Sequence, residues 1–484
     1  MFRILVKKEI VENIQNYRFL LALVLCLIVM PLGFVVSQKD YAARRQVYEE
    51  TVHDYDQTRA TVFDLEWRGG AAFRPPSPLA LLAGGVEALL PTSVETRGNI
   101  DEQGTQVQFN NARRLDNPFL SLFGRLDLTF IVTTVLAVLI MIFSFNAVAG
   151  EKERRTLALV MANAVPRPLV IAAKMAAGST LLAVAFLAGA AAGVLLTIVL
   201  GLSPFGQPGT ALPFALGIGA SLLFLLAFYN LGLLVSSLSR SQVSAMVTLL
   251  SVWVGLGMIL PKGSVVIAKL VRPVKSQQVV DLEKNQVRLQ YQRDVSVDSE
   301  KLARSTPVIK DMNFDEFYTQ RKAKNPAILA FEKIQTDRKA EFRARLNGEL
   351  DKIDADFERQ RGRQSALARN LSRLSPVSCL VHVMAELAGT GFTEEERWLV
   401  TRARFEQLLD REIASKHKSV SFGNTTMSFS GGLNMKAPAP KLPAEAVPLA
   451  KRLAAVWVDV ALLGFYGLLF FAGAYVAFLR YDVR

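Results

Sequence analysis

Residues 126–149 read LDLTFIVTTVLAVLIMIFSFNAVA, an apolar run whose one charged side chain is Asp127. A helix of this length measures about 36 Å, more than the roughly 30 Å hydrocarbon core of a bilayer. Further apolar runs of spanning length lie at residues 19–36, within 169–260, which holds three of them, and at 452–479. The 484-residue chain is therefore predicted to be an all-α polytopic membrane protein with six spans.

The formal charge of +13 would suggest a nucleic-acid partner in a soluble protein. Here much of the excess positive charge lies in one large polar region and in short loops beside the spans, so no nucleic-acid partner is expected. Cys26 lies in the first span and Cys379 in a distant polar region, so we expect no disulfide between them and a buried thiol at Cys379. With three histidines and no ligand spacing, no metal site and no cofactor are predicted.

The first 18 residues are predicted to form an amphipathic elbow helix that leads into the first span. Their apolar side chains recur at helical spacing, and their charges fall on the opposite side. The apolar set is Phe2, Leu5, Ile10, Val11 and Ile14, and the charged set is Lys7, Lys8, Glu9 and Glu12. A helix of this kind lies in the membrane interface.

The charges of the short loops predict the orientation, because basic loops stay on the cytoplasmic side. The N-terminus, residues 150–168, residues 236–242 and the tail at 480–484 carry Arg or Lys, whereas residues 203–211 carry no charge. Both termini are therefore expected in the cytoplasm, with the two longest polar segments outside.

These segments are a first external region over residues 37–125 and a large external domain over residues 261–451. The domain is predicted to be mainly helical with minor β structure. Its expected elements are a long helix over 325–374, helices that start at Ser375-Pro376 and at Thr393, and a hairpin over 419–433. Its basic balance favours anionic partners such as lipid head groups or cell-wall polymers.

Ionisable residues inside or beside the spans need an explanation. A carboxylate at the bilayer centre costs roughly 2.5 to 3.5 kcal/mol, so Asp459, early in the last span, is expected to face protein or water. A structural polar contact is favoured over a point in a transport pathway. Asp127 and Lys174 lie near span ends and are interpreted as snorkelling residues. His382 lies on an apolar helix and is interpreted as a core histidine.

Sequence signatures of catalysis are absent. The chain has no G-x-x-x-x-G-K-[ST] phosphate loop, no H-E-x-x-H, no G-x-S-x-G and no G-x-G-x-x-G after a strand. We therefore predict that the protein is not an enzyme by itself and has no catalytic residues.

The loop after the second span is the most informative segment, and with the start of the third span it reads GEKERRTLALVMANAVPRPLVIAAK over residues 150–174. A charged tip precedes a short amphipathic helix, which ends at a break formed by Pro166 and Pro168. Such a segment can dock on a cytoplasmic partner, or it can simply anchor two spans at the interface, and its physical character alone does not decide between them.

This loop resembles the coupling region of ATP-binding-cassette exporter permeases of the second type, whose pattern is E-[KR]-E-x-G-T-L-x-L-L-L-S-x-P-[VI]-S-R, followed after a gap by G-K. The matching residues are Glu151, Lys152, Glu153, Thr156, Leu157, Leu159, Val165, Arg167 and Lys174. The departures are Arg155 for the first glycine, Ala162 and Pro166 for the serines, Ala164 for the proline and Ala173 for the later glycine.

Other stretches support the same resemblance. ILVKKEIVEN at residues 4–13 is similar to the elbow helix that opens these permeases, and SSLSRSQVSA at 236–245 is similar to their turn between the fourth and fifth spans. LSRLSPVSCLVHVMAELAGTG at 371–391 and the ending FLRYDVR resemble a branch with a large external domain between the last two spans.

The resemblance implies a multi-pass subunit of the bacterial inner membrane with a periplasmic or extracellular domain. Two such subunits, identical or different, pair with two separate cytoplasmic ATPases that bind ATP and Mg. The implied ATPase-coupling interface is Glu151, Lys152, Glu153, Arg154, Arg155, Thr156, Leu157, Leu159 and Arg167, with Lys7, Lys8 and Glu9 in the elbow helix.

Three functions fit these expectations. The first is ATP-driven export of a substrate, or its extraction from the membrane. The second is mechanotransmission, in which ATP hydrolysis rearranges the external domains to act on an envelope partner, and long external helices suit such lever-like motion. The third is a membrane scaffold or receptor without an energy source, which leaves the coupling-like loop unexplained.

Overall fold

The computed structural model describes residues 1–15, 17–61, 71–87, 90, 93–96, 107–108, 126–157, 166–203, 205–310, 312–422, 425–430 and 447–481. The helices are α1 (Phe2–Gln15), α2 (Tyr17–Thr61), α3 (Leu128–Glu153), α4 (Arg167–Val199), α5 (Ala211–Leu238), α6 (Gln242–Val271), α7 (Gln277–Ser305), α8 (Phe314–Lys322), α9 (Pro326–Ser372), α10 (Pro376–Ala388), α11 (Phe392–Lys416) and α12 (Leu449–Leu479). The strands are β1 (Ala71–Phe73), β2 (Ser93–Thr96), β3 (Val107–Gln108), β4 (His417–Phe422) and β5 (Thr425–Ser430).

Six of these helices, α2 to α6 and α12, are long and apolar enough to cross a membrane, which confirms the predicted fold class. Two of them run well past the predicted span ends, α2 to Thr61 instead of residue 36 and α6 to Val271 instead of residue 260. In α2 the helix continues after the apolar run stops, because the polar residues that follow favour helical backbone. In α6 the helix continues through Pro261, which lies just after a π-helical stretch, so the proline does not end it. Short π-helical stretches interrupt α3 at Ile131–Leu136 and α6 at Gly255–Ile259.

Small residues bring the first and third spans into close contact. A Cβ added to Gly189 on α4 would lie 2.8 Å from the carbonyl oxygen of Cys26 on α2, and one added to Gly193 would lie 2.7 Å from the Phe34 ring. Glycine at these positions therefore lets the two helices pack directly against each other.

Helices α7 and α9, connected through the short helix α8, form a long arm between the last two spans. Helix α9 covers the predicted long helix over 325–374, and Asn325 caps it through a hydrogen bond from the backbone N of Ala327, with Pro326 at the first helical position. Tyr291, Val295 and Leu346 are buried between α7 and α9. A second apolar cluster closes the tip of the arm and comprises Leu302, Ile309, Phe317, Ile328 and Phe331.

The predicted hairpin is confirmed, since β4 pairs with β5 in antiparallel register from His417–Ser430 to Phe422–Thr425. Strands β1, β2 and β3 form a small antiparallel sheet in the first polar region. Helix α10 begins after Ser375, as predicted, but its residues pack against α5 and α12 although they fall in the predicted external domain.

Asp127 caps the start of α3 and does not snorkel, so that prediction is wrong. Its carboxylate accepts hydrogen bonds of 2.8 Å from the backbone N of Phe130 and of Gly84. The backbone N of Leu128 bonds in turn to the carbonyl of Leu81 at 2.9 Å. A segment of the first polar region is thereby fixed to the start of a span.

Candidate functional site

The predicted coupling loop lies where α3 ends and α4 begins. Helix α3 ends at Glu153, α4 begins at Arg167 after the predicted break at Pro166, and the segment between them is described as far as Leu157. Leu159, which was also predicted to belong to the interface, lies outside the described residues. We call this end of the helix bundle the coupling end and the opposite end the far end.

Lys174 on α4 is the centre of an ion-pair cluster that joins three elements. Its Nζ lies 2.6 Å from Glu151 Oε1 and 3.1 and 3.2 Å from the two carboxylate oxygens of Glu9. The lysine side chain is 4% exposed, so the prediction that it snorkels is wrong. Because a buried charge is tolerated only when it is paired, the cluster holds the elbow helix α1 against the end of α3.

The other two charges of the E-K-E sequence contact different helices. Lys152 Nζ donates a hydrogen bond to the carbonyl of Ser237 near the end of α5 and lies 4.2 Å from the centre of the Tyr481 ring. Glu153 Oε2 accepts a hydrogen bond of 2.9 Å from the backbone N of Gln242 at the start of α6. A carboxylate at this position interacts favourably with the positive end of the helix dipole. The three charges therefore hold the coupling end together from inside.

Arg167 connects the same end to the last span. Its Nη1 donates to the carbonyls of Leu479 at 3.2 Å and Tyr481 at 3.1 Å. Carbonyls at the end of a helix have no hydrogen-bond donor within the helix, and Arg167 supplies one. A buried apolar cluster lies beside it and comprises Val148, Leu157, Val170, Ile171 and Phe478. The coupling loop thus contacts α12 through both polar and apolar groups.

The remaining predicted residues face solvent. Arg154, Arg155 and Thr156 are exposed at the turn after α3, and Lys7 and Lys8 are exposed on α1. Arg155 has a φ of 61°, in the left-handed region that favours glycine. This conformation explains why the permease pattern carries glycine at this position, where the present chain departs from the pattern with Arg155.

A second polar cluster ties α12 to the arm. Asp459, 1% exposed, accepts hydrogen bonds from Arg373 Nε at 2.9 Å and Nη2 at 2.8 Å, and His382 Nδ1 lies 3.2 Å from Asp459 Oδ1. The bonds to Asp459 raise the pKa of the Arg373 guanidinium above its ordinary value. His382 is therefore a polar partner as well as a packed residue, and Tyr466 on α12 donates to the carbonyl of Arg373 at 3.0 Å.

Sequence reasoning placed Asp459 in contact with protein but did not find Arg373, and it did not find the pairing of Lys174 with Glu9. The signal that could have indicated both partners is charge balance, since each buried charge needs a partner of opposite sign. In both cases that partner lies on another helix, far away in the chain.

Within the described ranges, no group of three or more His, Cys, Asp or Glu side chains is placed to hold a metal ion. No match was found among curated proteins. A family model described as ABC-2 family transporter protein matches residues 3–483. Since that match covers the six spans and the polar clusters at both ends of the bundle, the chain belongs to the ABC-2 family of transporter membrane proteins.

Proposed function

We propose that this protein is the permease subunit of an ATP-binding-cassette transporter and that a separate ATPase drives it from the coupling end. The permease class follows from the family, and such permeases work with an ATP-binding-cassette ATPase. The proposal adds the orientation, with the coupling end in the cytoplasm of a bacterial inner membrane and the arm in the periplasm or outside the cell. It also adds a dimer of permease subunits and export or extraction of a substrate.

The observation that carries the proposal is the burial of Lys174 between Glu9 and Glu151. Ion pairs at these positions join the elbow helix to the coupling loop, so a push on either segment is transmitted to α4. Arg167 extends the same connection to α12. Such a set of contacts is suited to receive the motion of a partner and pass it to several spans at once.

The geometry divides the charged residues of the coupling end into two groups. Arg154 and Arg155 are exposed and are assigned to contact with the ATPase. Glu151 and Lys174 are occupied by contacts within the chain and are assigned to transmission. We therefore expect variants of the two groups to fail in different ways.

Affinity purification of the tagged protein in mild detergent, with mass spectrometry and an ATPase assay, tests the proposal. We expect a phosphate-loop ATPase to be recovered with the wild type. The double variant Arg154→Ala and Arg155→Ala should recover severalfold less ATPase, whereas Lys174→Met should recover a normal amount with altered ATPase activity. Lys310→Gln, an exposed change on the arm, serves as the control.

Recovery of no ATPase in detergents and nanodiscs would contradict the proposal and favour a scaffold or receptor. Equal ATPase recovery from the wild type and the double-arginine variant would contradict the proposed contact of the exposed arginines with the ATPase. It would not contradict the proposed permease function.

One observation favours the second function, mechanotransmission. The pair of Asp459 and Arg373 connects the last span directly to α9, a helix of 47 residues. Motion of α12 is therefore imposed on the arm as well as on the membrane bundle. Recovery of an envelope protein whose binding requires the arm tip, with no ligand that stimulates the ATPase, would favour this function over export.

A further inference from the structure

Helix α6 extends beyond the length that a membrane requires. It starts at Gln242 on the coupling end, where Glu153 holds it, and it continues for 30 residues to Val271. That length corresponds to about 45 Å, while about 20 residues cross the hydrocarbon core. Residues 262–272 therefore emerge at the membrane surface on the far end, and we call them the α6 extension.

The α6 extension has three distinct faces when its residues are placed about 100° apart around the helix. Ser264 and Ala268 are buried on the face that packs toward α9. The apolar exposed side chains Val266, Ile267, Leu270 and Val271 occupy the next face, with Leu270 76% exposed. The basic side chains of Lys262, Lys269 and Arg272 occupy the third face together with Val265, and all four residues are exposed.

A fourth basic residue lies beside this basic face. Arg272 Nη1 donates to the carbonyl of Arg363 on α9 at 3.3 Å, and Gln364 Nε2 donates to the carbonyl of Arg272 at 2.6 Å. Arg363 is exposed. Among the described residues, the structure gives no ion pair between these four basic side chains and a carboxylate.

We propose that the α6 extension, together with Arg363, binds an anionic phospholipid of the leaflet at the far end. The lipid phosphate would accept hydrogen bonds from the basic side chains and form ion pairs with them, while the acyl chains would cover the apolar face. A helix with adjoining basic and apolar faces at the membrane surface is the arrangement that binds anionic lipid.

Continuity with the span supports a lipid in preference to a soluble acidic protein. The exposed apolar surface runs along the whole of α6, from Val243 and Val247 through Leu250 and Ile259 into the extension. The basic residues then stand where this exposed apolar surface leaves the hydrocarbon core. The inference needs no ATPase, so it can fail or succeed independently of the proposed function.

Native mass spectrometry of the full-length protein, titrated with phosphatidylglycerol or phosphatidylcholine in detergent, tests the site. We expect the wild type to prefer phosphatidylglycerol and the variant K262Q/K269Q/R272Q to bind it at least about tenfold more weakly. The matched control K301Q/K310Q/K333Q removes the same charge near the arm tip and should bind like the wild type. The charge-preserving variant K262R/K269R/R272K should also keep binding.

Equal affinity for the two lipids, or equal phosphatidylglycerol binding by K262Q/K269Q/R272Q and the wild type, would overturn the proposal. Displacement of the lipid by inorganic phosphate at similar concentration would also overturn it, because the apolar face would then contribute nothing.

A second measurement places the surface relative to the bilayer. Leu270→Trp in nanodiscs should be quenched by brominated phospholipid beyond the background of the native tryptophans, whereas Val308→Trp at the arm tip should not. Unquenched Leu270→Trp, or a change of oligomeric state in K262Q/K269Q/R272Q with unchanged lipid binding, would assign the surface to a protein contact instead.

Discussion

Asp459 and Arg373 form a two-point contact in which each carboxylate oxygen accepts one guanidinium hydrogen bond, at 2.9 and 2.8 Å. The residues lie on α12 and at the end of α9, so the contact fixes both the distance and the angle between the last span and the arm. A bidentate pair restricts orientation in a way that a single ammonium contact does not.

Replacement of Asp459 by Asn should therefore loosen the arm. Arg373 is partly exposed and can find water, so we expect a loss of about 1–3 kcal/mol in stability. Thermal unfolding in detergent measures the loss, and limited trypsin digestion should cut α9 faster. Asp351→Asn, an exposed change on α9, is the control, and equal digestion of the two variants would show that the contact does not hold the arm.

The ion-pair cluster around Lys174 predicts unequal effects of its three members. Lys174→Met leaves two carboxylates facing each other, so it should lower the melting temperature more than Glu9→Gln does. The triple variant with Glu9→Gln, Glu151→Gln and Lys174→Met should recover part of that loss. A shift in the melting temperature of the triple variant equal to the sum of the three single-variant shifts would mean that the three side chains act independently.

Arg155 offers a test of backbone strain. Its φ of 61° costs roughly 1 kcal/mol for a residue with a Cβ, so Arg155→Gly should raise stability by about that amount. Arg155→Val should lower it, because a branched side chain is still less compatible with this conformation. Thermal unfolding of the two variants measures the difference, and a destabilised Arg155→Gly would show that the arginine side chain outweighs the strain.

Cys379 is buried on α10, and burial raises the pKa of its thiol to about 12. Since the reactive form is the thiolate, a raised pKa keeps the group protonated and inert throughout the neutral range. Maleimide at pH 7.5 should leave Cys379 unlabelled in the native protein and label it in dodecyl sulfate. Ala366→Cys, at an exposed position on α9, should react in both conditions, and native labelling of Cys379 would reveal an opening of α10.

The fold was largely predictable because its signals are local. A span is visible in its own hydropathy, and α10 is visible in the Ser375-Pro376 start. The helix ends were less predictable, since α2 continues past residue 36 through polar residues that no Gly or Pro interrupts, and α6 continues through Pro261 and Gly263.

The site was predictable only in part for a related reason. The sequence located the E-K-E charges but not their partners, because Glu9 and Lys174 lie 165 positions apart and Arg373 and Asp459 lie 86 apart. Helical periodicity relates residues within one element, whereas these pairs depend on how elements pack. The interpretation of Lys174 as a snorkelling residue treated its span as if it stood alone in lipid.

The length of α9 has a geometric consequence. Its 47 residues extend about 70 Å, and one end is held at the membrane bundle through Arg373. A tilt of one degree about that point displaces the other end by about 1.2 Å, and a tilt of 5° displaces it by about 6 Å. The arm thus converts an angular change too small to reshape the packed spans into a translation of more than one helical turn at its tip.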